Sequence, residues 1–466
     1  MSELGRKERY PLSRAYGSCD IRGEYGKEVT EDDAYYLGGA VGYWLRQEGL
    51  APSVLVGGDY RLSTEKLKNA LIDGLVDSGC VVYDAGILPT PAYYFARKLY
   101  QLPAGVMVTA SHNPWTDNGF KPIIGDLPLI GEEIERLWTY VAERKTAGGK
   151  GRIEKIEVMD AYKTKITSFF SPSKNVCVVI DSGNGCCGPY APELFRNLGY
   201  DVIELFSEPD GRFPNRGPDT SIPQNLLHLG QKVRDCKASV GVGYDGDGDR
   251  FGAVDEVGRF IRSDALFVLF IQRFLKGNNG IVVYDIKLSD IVPQEARKVG
   301  CTPMMEKTGH AFIKHSFEKY HALLAGEYTG HFAFQEIGTD DGIFASLRLA
   351  QIVAESEVSL SQLIAQIPHY PITPDIRIRL DDETISEIIN KVKVELSKEA
   401  EIITIDGVRV QYPDGWGLIR SSIYVPELSI RFEGYNQSSL QRIIHRFDEI
   451  LPELDLIKKT GLGNAE

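Results

Sequence analysis

The chain reads as an α/β protein with three related α/β/α domains and a smaller α+β domain at its C-terminal end. Three observations predict this. Short apolar runs alternate with amphipathic stretches of helical period, the pattern of strands layered against helices. The same order of elements recurs three times, and each copy contains a strand that runs into a polar, glycine- or serine-rich loop. A proline-rich segment, Pro368-His369-Tyr370-Pro371-Ile372-Thr373-Pro374, then precedes a region of different pattern, as expected of a linker.

In the first copy Ser53 to Val56 is predicted as a strand, followed by Gly57-Gly58-Asp59. Thr64 to Ser78 follows as a helix with Ser63 as its N-cap. A strand over Cys80 to Tyr83, a helix over Pro91 to Tyr100 and a strand over Gly105 to Thr109 complete the unit, which ends in Ala110-Ser111-His112-Asn113-Pro114. In the second copy strand Val176 to Ile180 leads into Asp181-Ser182-Gly183-Asn184-Gly185. A helix over Pro189 to Leu198, a strand over Asp201 to Leu205, a helical stretch over Pro223 to Lys232 and a strand over Ala238 to Val242 follow, ending at Asp245-Gly246-Asp247-Gly248-Asp249-Arg250. The third copy has strand Gly280 to Tyr284, helix Asp290 to Val299, strand Thr302 to Met305, helix Ala311 to Tyr320 and strand Ala322 to Ala325, ending at Gly326-Glu327-Tyr328-Thr329-Gly330-His331. The last domain is predicted with strands over Asp375 to Leu380 and Ser429 to Glu433 and helices over Thr384 to Ala400 and Leu440 to Leu451. The domain limits are placed at 1–155, 156–260, 261–370 and 371–466, in keeping with a length prior of roughly three or four domains.

Composition narrows the function. Lys and Arg number 52 against 65 Asp and Glu, a net charge of −13, which argues against a nucleic-acid binder because such a protein must neutralise phosphates with a basic face. A small phosphorylated ligand needs only a local cluster of cations. Met1 to Pro11 is charged and has no apolar core, so neither a secretory leader nor a membrane span is expected. The seven cysteines, Cys19, Cys80, Cys177, Cys186, Cys187, Cys236 and Cys301, are scattered without a CxxC pair and read as reduced thiols of a cytoplasmic protein. Asn436-Gln437-Ser438 fits a glycosylation acceptor but reads as a chance match.

The loops carry the chemistry. Asp245, Asp247 and Asp249 alternate with glycines, and three carboxylates this close repel one another unless a cation sits among them. Hard oxygen ligands suit magnesium or calcium. An EF-hand is the rival reading, with Glu256 as a fourth ligand, but Arg250 stands where that turn needs glycine and the flanks read as strands. Ser111 sits at a strand exit with His112 beside it and Lys121 shortly after. Adjacency in sequence does not by itself pair a serine with a histidine, and an ordinary polar turn remains open. Gly326 to His331 offers an acceptor, a hydroxyl and an imidazole, suited to sugar hydroxyls, and Asp340-Asp341-Gly342 reads as a helix start.

Taken together and in this order, these segments resemble the α-D-phosphohexomutase superfamily over nearly the whole chain. Thr109 to Pro114 is similar to its phosphoserine loop, Asp245 to Arg250 to its metal loop, and Gly326 to His331 to its sugar loop. Tyr16 to Gly23 resembles its N-terminal motif and Asp181 to Gly188 the glycine loop of its second domain. The resemblance implies four domains with mixed sheets around a central cleft. It implies a phosphate carried on Ser111, a Mg2+ ion held by Asp245, Asp247, Asp249 and the phosphorylated Ser111, and a hexose 1,6-bisphosphate as intermediate and activator. His112, Lys121 and Arg250 are the implied groups for proton transfer and charge stabilisation, unranked. Arg22, Lys287, His310, Glu327, Thr329 and His331 match substrate-contacting positions, and Arg420, Ser421 and Ser422 match the C-terminal phosphate loop. The implied partner is a hexose phosphate, the implied assembly a monomer or homodimer, and closure of the last domain onto substrate is expected.

The motifs around Lys307 to Lys314 and Thr339 to Ile343 are most similar to the phosphomannomutase/phosphoglucomutase branch. The phosphoglucosamine mutase branch, which usually has glutamine where this chain has Tyr328, is the alternative, alongside a phosphatase and a non-catalytic sugar-phosphate or metal-binding protein. One departure stands out. The phosphate loop reads Arg420-Ser421-Ser422-Ile423-Tyr424-Val425-Pro426, and Ile423 and Val425 have no side-chain donor. Weaker phosphate binding, binding through the backbone, and substitution by Tyr424 are the readings left open.

Overall fold

The computed structural model describes residues 13–173, 176–422 and 425–460. The leader reading at Met1 to Pro11, and Ile423 and Tyr424 of the phosphate loop, fall outside them. Four sheets follow one another along the chain.

The first three sheets share one plan. In the second, strand Cys177–Asp181 lies between Asp201–Leu205 and Val240–Tyr244, parallel to both, and Phe251–Asp255 and Phe260–Ile261 extend it antiparallel. The third repeats this with Ile281–Asp285 between Thr302–Glu306 and Leu324–Gly326, then antiparallel Phe332–Phe334 and Thr339–Asp340. The first has Ser53–Gly58 between Val81–Ile87 and Ala104–Val108, then antiparallel Asp117–Ile124 and Ile21–Glu24, with Arg152–Lys155 at the far edge. The sheets are mixed, as expected. The predicted domain limit at 260/261 cuts the strand Phe260–Ile261, because its pairing with Ala253–Val254 carries the second sheet one residue further.

Most predicted elements form near their expected places, shifted by one to a few residues. Ser63 is at the N-cap of helix Thr64–Asp77 but makes no side-chain cap; its Oγ accepts from Asn118 Nδ2 instead (2.8 Å). Asp341 does cap helix Gly342–Glu355, accepting from the Phe344 N–H. The stretch from Pro223 divides into a 3-10 turn, Pro223–Leu226, and helix Leu227–Cys236. Asn436, in the apparent glycosylation triplet, caps helix Gln437–Ile450 by accepting from the Ser439 N–H.

Residues of the first three units share one continuous apolar cluster, from Leu55 and Tyr93 through Val178 and Phe195 to Phe267 and Phe344. Burial of that size is the main favourable term holding the units in fixed relation. The fourth sheet is wholly antiparallel, in the order Ile376–Arg379, Glu427–Gly434, Gly415–Ser421, Val408–Tyr412, Glu401–Ile403. Helices Asp382–Leu396 and Gln437–Ile450 cover one face through a core that includes Ile388, Val392, Ile443 and Phe447. All seven cysteines are free. Among the described residues no helix is long and apolar enough to cross a membrane.

Candidate active site

Three loops occupy one topological position. Each leaves the third parallel strand of its sheet and turns into the antiparallel fourth: residues 109–116, 245–250 and 327–331. Ligands of open α/β sheets bind beyond the strand ends where strand order reverses. The three loops meet. The Arg250 and His331 backbones form an isolated bridge, and the Phe251 N–H donates to the Gly330 carbonyl (3.2 Å). A Cβ on Gly246 would lie 2.5 Å from the Ser111 carbonyl oxygen, so only glycine permits this approach of the metal loop to the serine loop.

Ser111 has φ +52°. A non-glycine residue in the left-handed region costs of order 1–3 kcal/mol and persists where the surroundings over-determine it. Arg61 supplies that constraint. Its Nη2 donates to the carbonyls of Ser111 (2.8 Å) and Asn113 (2.7 Å), its Nη1 to those of Pro114 (2.5 Å) and Asp117 (2.9 Å), and its Nε to Asp59 (3.1 Å). In this conformation Ser111 Oγ donates to Asp245 Oδ2 (2.8 Å) and lies 3.3 Å from His112 Nδ1. The turn thus creates the serine–histidine contact that adjacency alone left open. Arg22, held by Asp20, donates to the Ala110 carbonyl (3.3 Å) and Asn113 Oδ1 (3.2 Å) and lies 3.4 Å from His112 Nδ1.

Asp245, Asp247 and Asp249 are buried and bring one oxygen each within 4.8 Å of the others. Asp245 Oδ1 accepts from the Gly248 and Arg250 N–H groups, which folds the loop on itself. Burial and the two neighbouring carboxylates push the Asp245 carboxyl well above its ordinary range. Lys121 Nζ reaches Asp247 Oδ2 (2.7 Å) and Asp249 Oδ2 (2.6 Å), while Asp247 Oδ1 and Asp249 Oδ1 are buried without a hydrogen-bond partner. A cluster of hard oxygens with orphaned lone pairs fits a magnesium-type cation. Burial works against the charge on Lys121, but its ion pairs with Asp247 and Asp249 prevail and raise its pKa. Burial, then Arg250 and Arg22, push His112 well below its ordinary range, so its imidazole is neutral at pH 7.

The loop Glu327 to His331 faces the same space. Arg250 Nε donates to His331 Nε2 (2.8 Å), and His331 Nδ1 lies 2.7 Å from Asp340 Oδ2. Asp340 is itself paired with Lys314 (2.8 Å). Glu327 Oε2, Thr329 Oγ1 and Arg250 Nη1 are buried without hydrogen-bond partners, groups that a bound polar ligand would satisfy. His310 stacks on His331 at 5.8 Å, and burial and then Lys314 lower its pKa to about 4. A cleft of about 940 Å³ opens beside these loops, lined by His112 and Trp115, by Phe213, by Tyr328, and by Ser422 of the last domain. Lys287 Nζ is ion-paired with Asp375 (2.9 Å). Arg420 is buried, with its Nε on Asp406 (2.7 Å). Ser421 is exposed, its Oγ donating along the chain to the Ser422 carbonyl.

The structure therefore brings Ser111, His112, Lys121, Arg22, Arg250, the aspartate triplet and His331 together, while Arg420 and Ser422 stand on the last domain and Lys287 of the third unit reaches toward it through Asp375. Sequence reasoning missed Arg61, Asp20, Asp340 and Lys314 as parts of this assembly. Arg61 acts through carbonyls about fifty positions away, which no local pattern announces; Asp20, Lys314 and Asp340 lie in segments the sequence singles out, but their pairings with Arg22, with each other and with His331 are not legible there.

With this geometry in view, comparison with known proteins assigns a class. Residues 13–147, 158–258 and 262–370 match the three domains described as phosphoglucomutase/phosphomannomutase, alpha/beta/alpha domains I, II and III. The chain belongs to the α-D-phosphohexomutase superfamily, within the phosphoglucomutase/phosphomannomutase family. Among its relatives, a phosphomannomutase/phosphoglucomutase of Pseudomonas putida is 42% identical over 453 residues, covering 96% of this chain and 97% of the relative. A phosphoglucomutase of Neisseria gonorrhoeae is 38% identical over 446 residues, covering 94% and 96%. The crystal structure of a phosphoglucomutase/phosphomannomutase family protein from Burkholderia thailandensis superposes with a TM-score of 0.88 at 35% identity, covering 95% of this chain and 98% of that one.

Proposed function

We propose that the protein interconverts hexose 1-phosphates and hexose 6-phosphates, with mannose and glucose as the sugars, through a phosphoryl group carried on Ser111. The observation that carries this reading is the placement of Ser111 Oγ: held by a left-handed backbone, 2.8 Å from Asp245 of the oxygen-rich cluster. The relatives at 42% and 38% identity, named for mannose and glucose, support the choice of sugars. The phosphoryl group passes from Ser111 Oγ to the free hydroxyl of a hexose monophosphate. The P–Oγ bond breaks, the new P–O bond forms, and the hydroxyl proton ends on Oγ. The resulting 1,6-bisphosphate reorients in the cleft and returns its other phosphate to Ser111, and the same bisphosphate primes unphosphorylated enzyme.

Catalysis of this kind rests on positioning and charge stabilisation. Neutral His112, 3.3 Å from Ser111 Oγ, is placed to hold and return the serine proton. Arg22, Lys121 and Arg250 bring positive charge to the transferring group. Glu327, Thr329 and His331 offer oxygens and an imidazole to the sugar hydroxyls. Asp245, Asp247 and Asp249 would hold magnesium together with an oxygen of phosphorylated Ser111, and the ion would neutralise charge on the transferring phosphoryl group. The enzyme works as a soluble cytoplasmic protein in this reading.

The test is conversion of mannose 1-phosphate and glucose 1-phosphate to the 6-phosphates, with magnesium and a trace of hexose 1,6-bisphosphate. Turnover of either sugar that is lost in Ser111→Ala supports the reading. Stoichiometric release of inorganic phosphate would make the protein a phosphatase instead. Turnover of glucosamine phosphate alone would move it to the glucosamine branch.

A further inference from the structure

One face of the fourth sheet packs under its helices, the other carries Trp416 and Leu418 buried against Ile286, and on that second face the register aligns a row of cationic and hydroxyl side chains. Arg377 stands opposite Ser429, and Ser429 stands opposite Arg420 on the next strand. Residues directly opposite in antiparallel pairs project to the same face. Ile376, Ile378, Leu428, Ile430 and Ile419, one step out of that row, pack into the core under the two helices. The Arg377–Ser429–Arg420 row therefore faces the other way, where Arg377 and Ser422 line the cleft. The two arginines are two strand spacings apart, about 10 Å.

These arginines are held differently. Arg420 is 4% exposed and fixed by Asp406, which also accepts from the Thr308 N–H of the third unit (3.1 Å). The Arg377 side chain is 55% exposed; its Nε lies 3.2 Å from Asp375 Oδ2 and its Nη1 3.8 Å from Glu427. Asp375 Oδ2 accepts from Lys287 Nζ as well (2.9 Å), so one carboxylate steadies a cation from the third unit and a guanidinium from the fourth at the same cleft wall.

We propose that Arg377 is a phosphate-binding residue of this chain, which with Arg420 and Ser422 takes the phosphate lying away from Ser111. The inference rests on the reading of the cleft as a hexose phosphate site. A guanidinium binds phosphate with two parallel charge-assisted hydrogen bonds. Such a group compensates for a phosphate loop in which Val425, at the cleft wall, has only a hydrocarbon side chain.

The test separates binding from turnover. In full-length Ser111→Ala protein, glucose 6-phosphate is titrated by calorimetry, with Arg377→Gln, Arg377→Lys and Arg379→Gln added singly. Arg379 lies on the same strand, is 86% exposed and pairs with Glu427, so its replacement controls for a general loss of surface charge. The proposal expects Arg377→Gln to weaken binding by about tenfold or more, Arg377→Lys to fall in between, and Arg379→Gln to leave binding unchanged. Equal affinity of Arg377→Gln and its parent, with matching melting temperatures, would overturn the proposal and leave Arg377 as a surface ion pair. Should Arg377→Gln fail to fold, unchanged binding by Arg377→Lys would overturn it. Wild-type turnover is scored separately: its absence alongside intact binding sinks the mutase reading and not this one, whereas a parent that binds no hexose phosphate sinks both.

Discussion

At the scale of single residues, the site depends on one arginine that no motif marks. Arg61 holds three carbonyls of the serine loop, that of Asp117 on the next strand and the buried carboxylate of Asp59. Arg61→Ala strands Asp59 as a buried charge, and breaking such a pair costs about 3–5 kcal/mol. We expect a stability loss of that order by chemical denaturation, together with a drop in turnover as Ser111 leaves its left-handed conformation. A loss below about 1 kcal/mol would contradict the structural role assigned to this buried pair. The candidate reacting groups were legible because their pattern is local: three aspartates alternating with glycine, and a serine at a strand exit. Arg61 was not, because its meaning lies in carbonyls about fifty positions away. The hydroxyl–imidazole contact of Ser111 and His112 was equally hidden, since it depends on a backbone φ that the sequence does not display.

At the scale of elements, the repeated strand–loop–strand plan was readable, and it placed residues 245–250 and 327–331 at equivalent positions of successive sheets. What escaped were elements with masked periodicity. Helix Glu31–Gln47 carries Gly38, Gly39 and Gly42, which weaken any helical signal. Packing explains the glycines: a Cβ on Gly38 would lie 2.4 Å from the Leu71 carbonyl of the adjoining helix Thr64–Asp77. Strand Asp117–Ile124 was also missed, although it completes the hairpin that carries Ser111 and places Lys121 on the aspartates. The contact between metal loop and serine loop yields a prediction at this scale. Gly246→Ala puts a methyl group 2.5 Å from the Ser111 carbonyl and must separate the loops. Displacements near 1 Å can cost about a hundredfold in rate, so we expect kcat/KM to fall by about ten- to a hundredfold with the fold intact by circular dichroism. Unchanged kcat/KM would show that the loops need not touch.

At the scale of the whole molecule, the last domain is bolted to the third unit by buried polar contacts. Arg409 donates to the Ile286 carbonyl (2.6 Å) and Asp290 (2.5 Å) while lying 4.1 Å over Trp416. Arg431 donates to the Lys287 carbonyl and lies 4.1 Å over Tyr328. Glu433 Oε1 accepts from Trp416 Nε1 and the Asp290 N–H, and its Oε2 is buried without a hydrogen-bond partner. Burial, and then Asp290, raise its carboxyl from 4.5 to about 7. Folded protein therefore binds this proton more tightly than unfolded chain, so its contribution to stability is present at low pH and lost as pH rises from about 4.5 to 7. Glu433→Gln should flatten that part of the melting-temperature profile, and an unaltered profile would remove Glu433 as its cause. These contacts were invisible in the sequence, where only the linker and the change of pattern announced a separate domain. The most direct test of the whole account is the intact mass of the protein after exposure to hexose 1,6-bisphosphate and magnesium. The account predicts a gain of one phosphoryl group, mapped to Ser111, absent from Ser111→Ala and discharged by hexose monophosphate. Turnover without any phosphoryl group on Ser111 would contradict it.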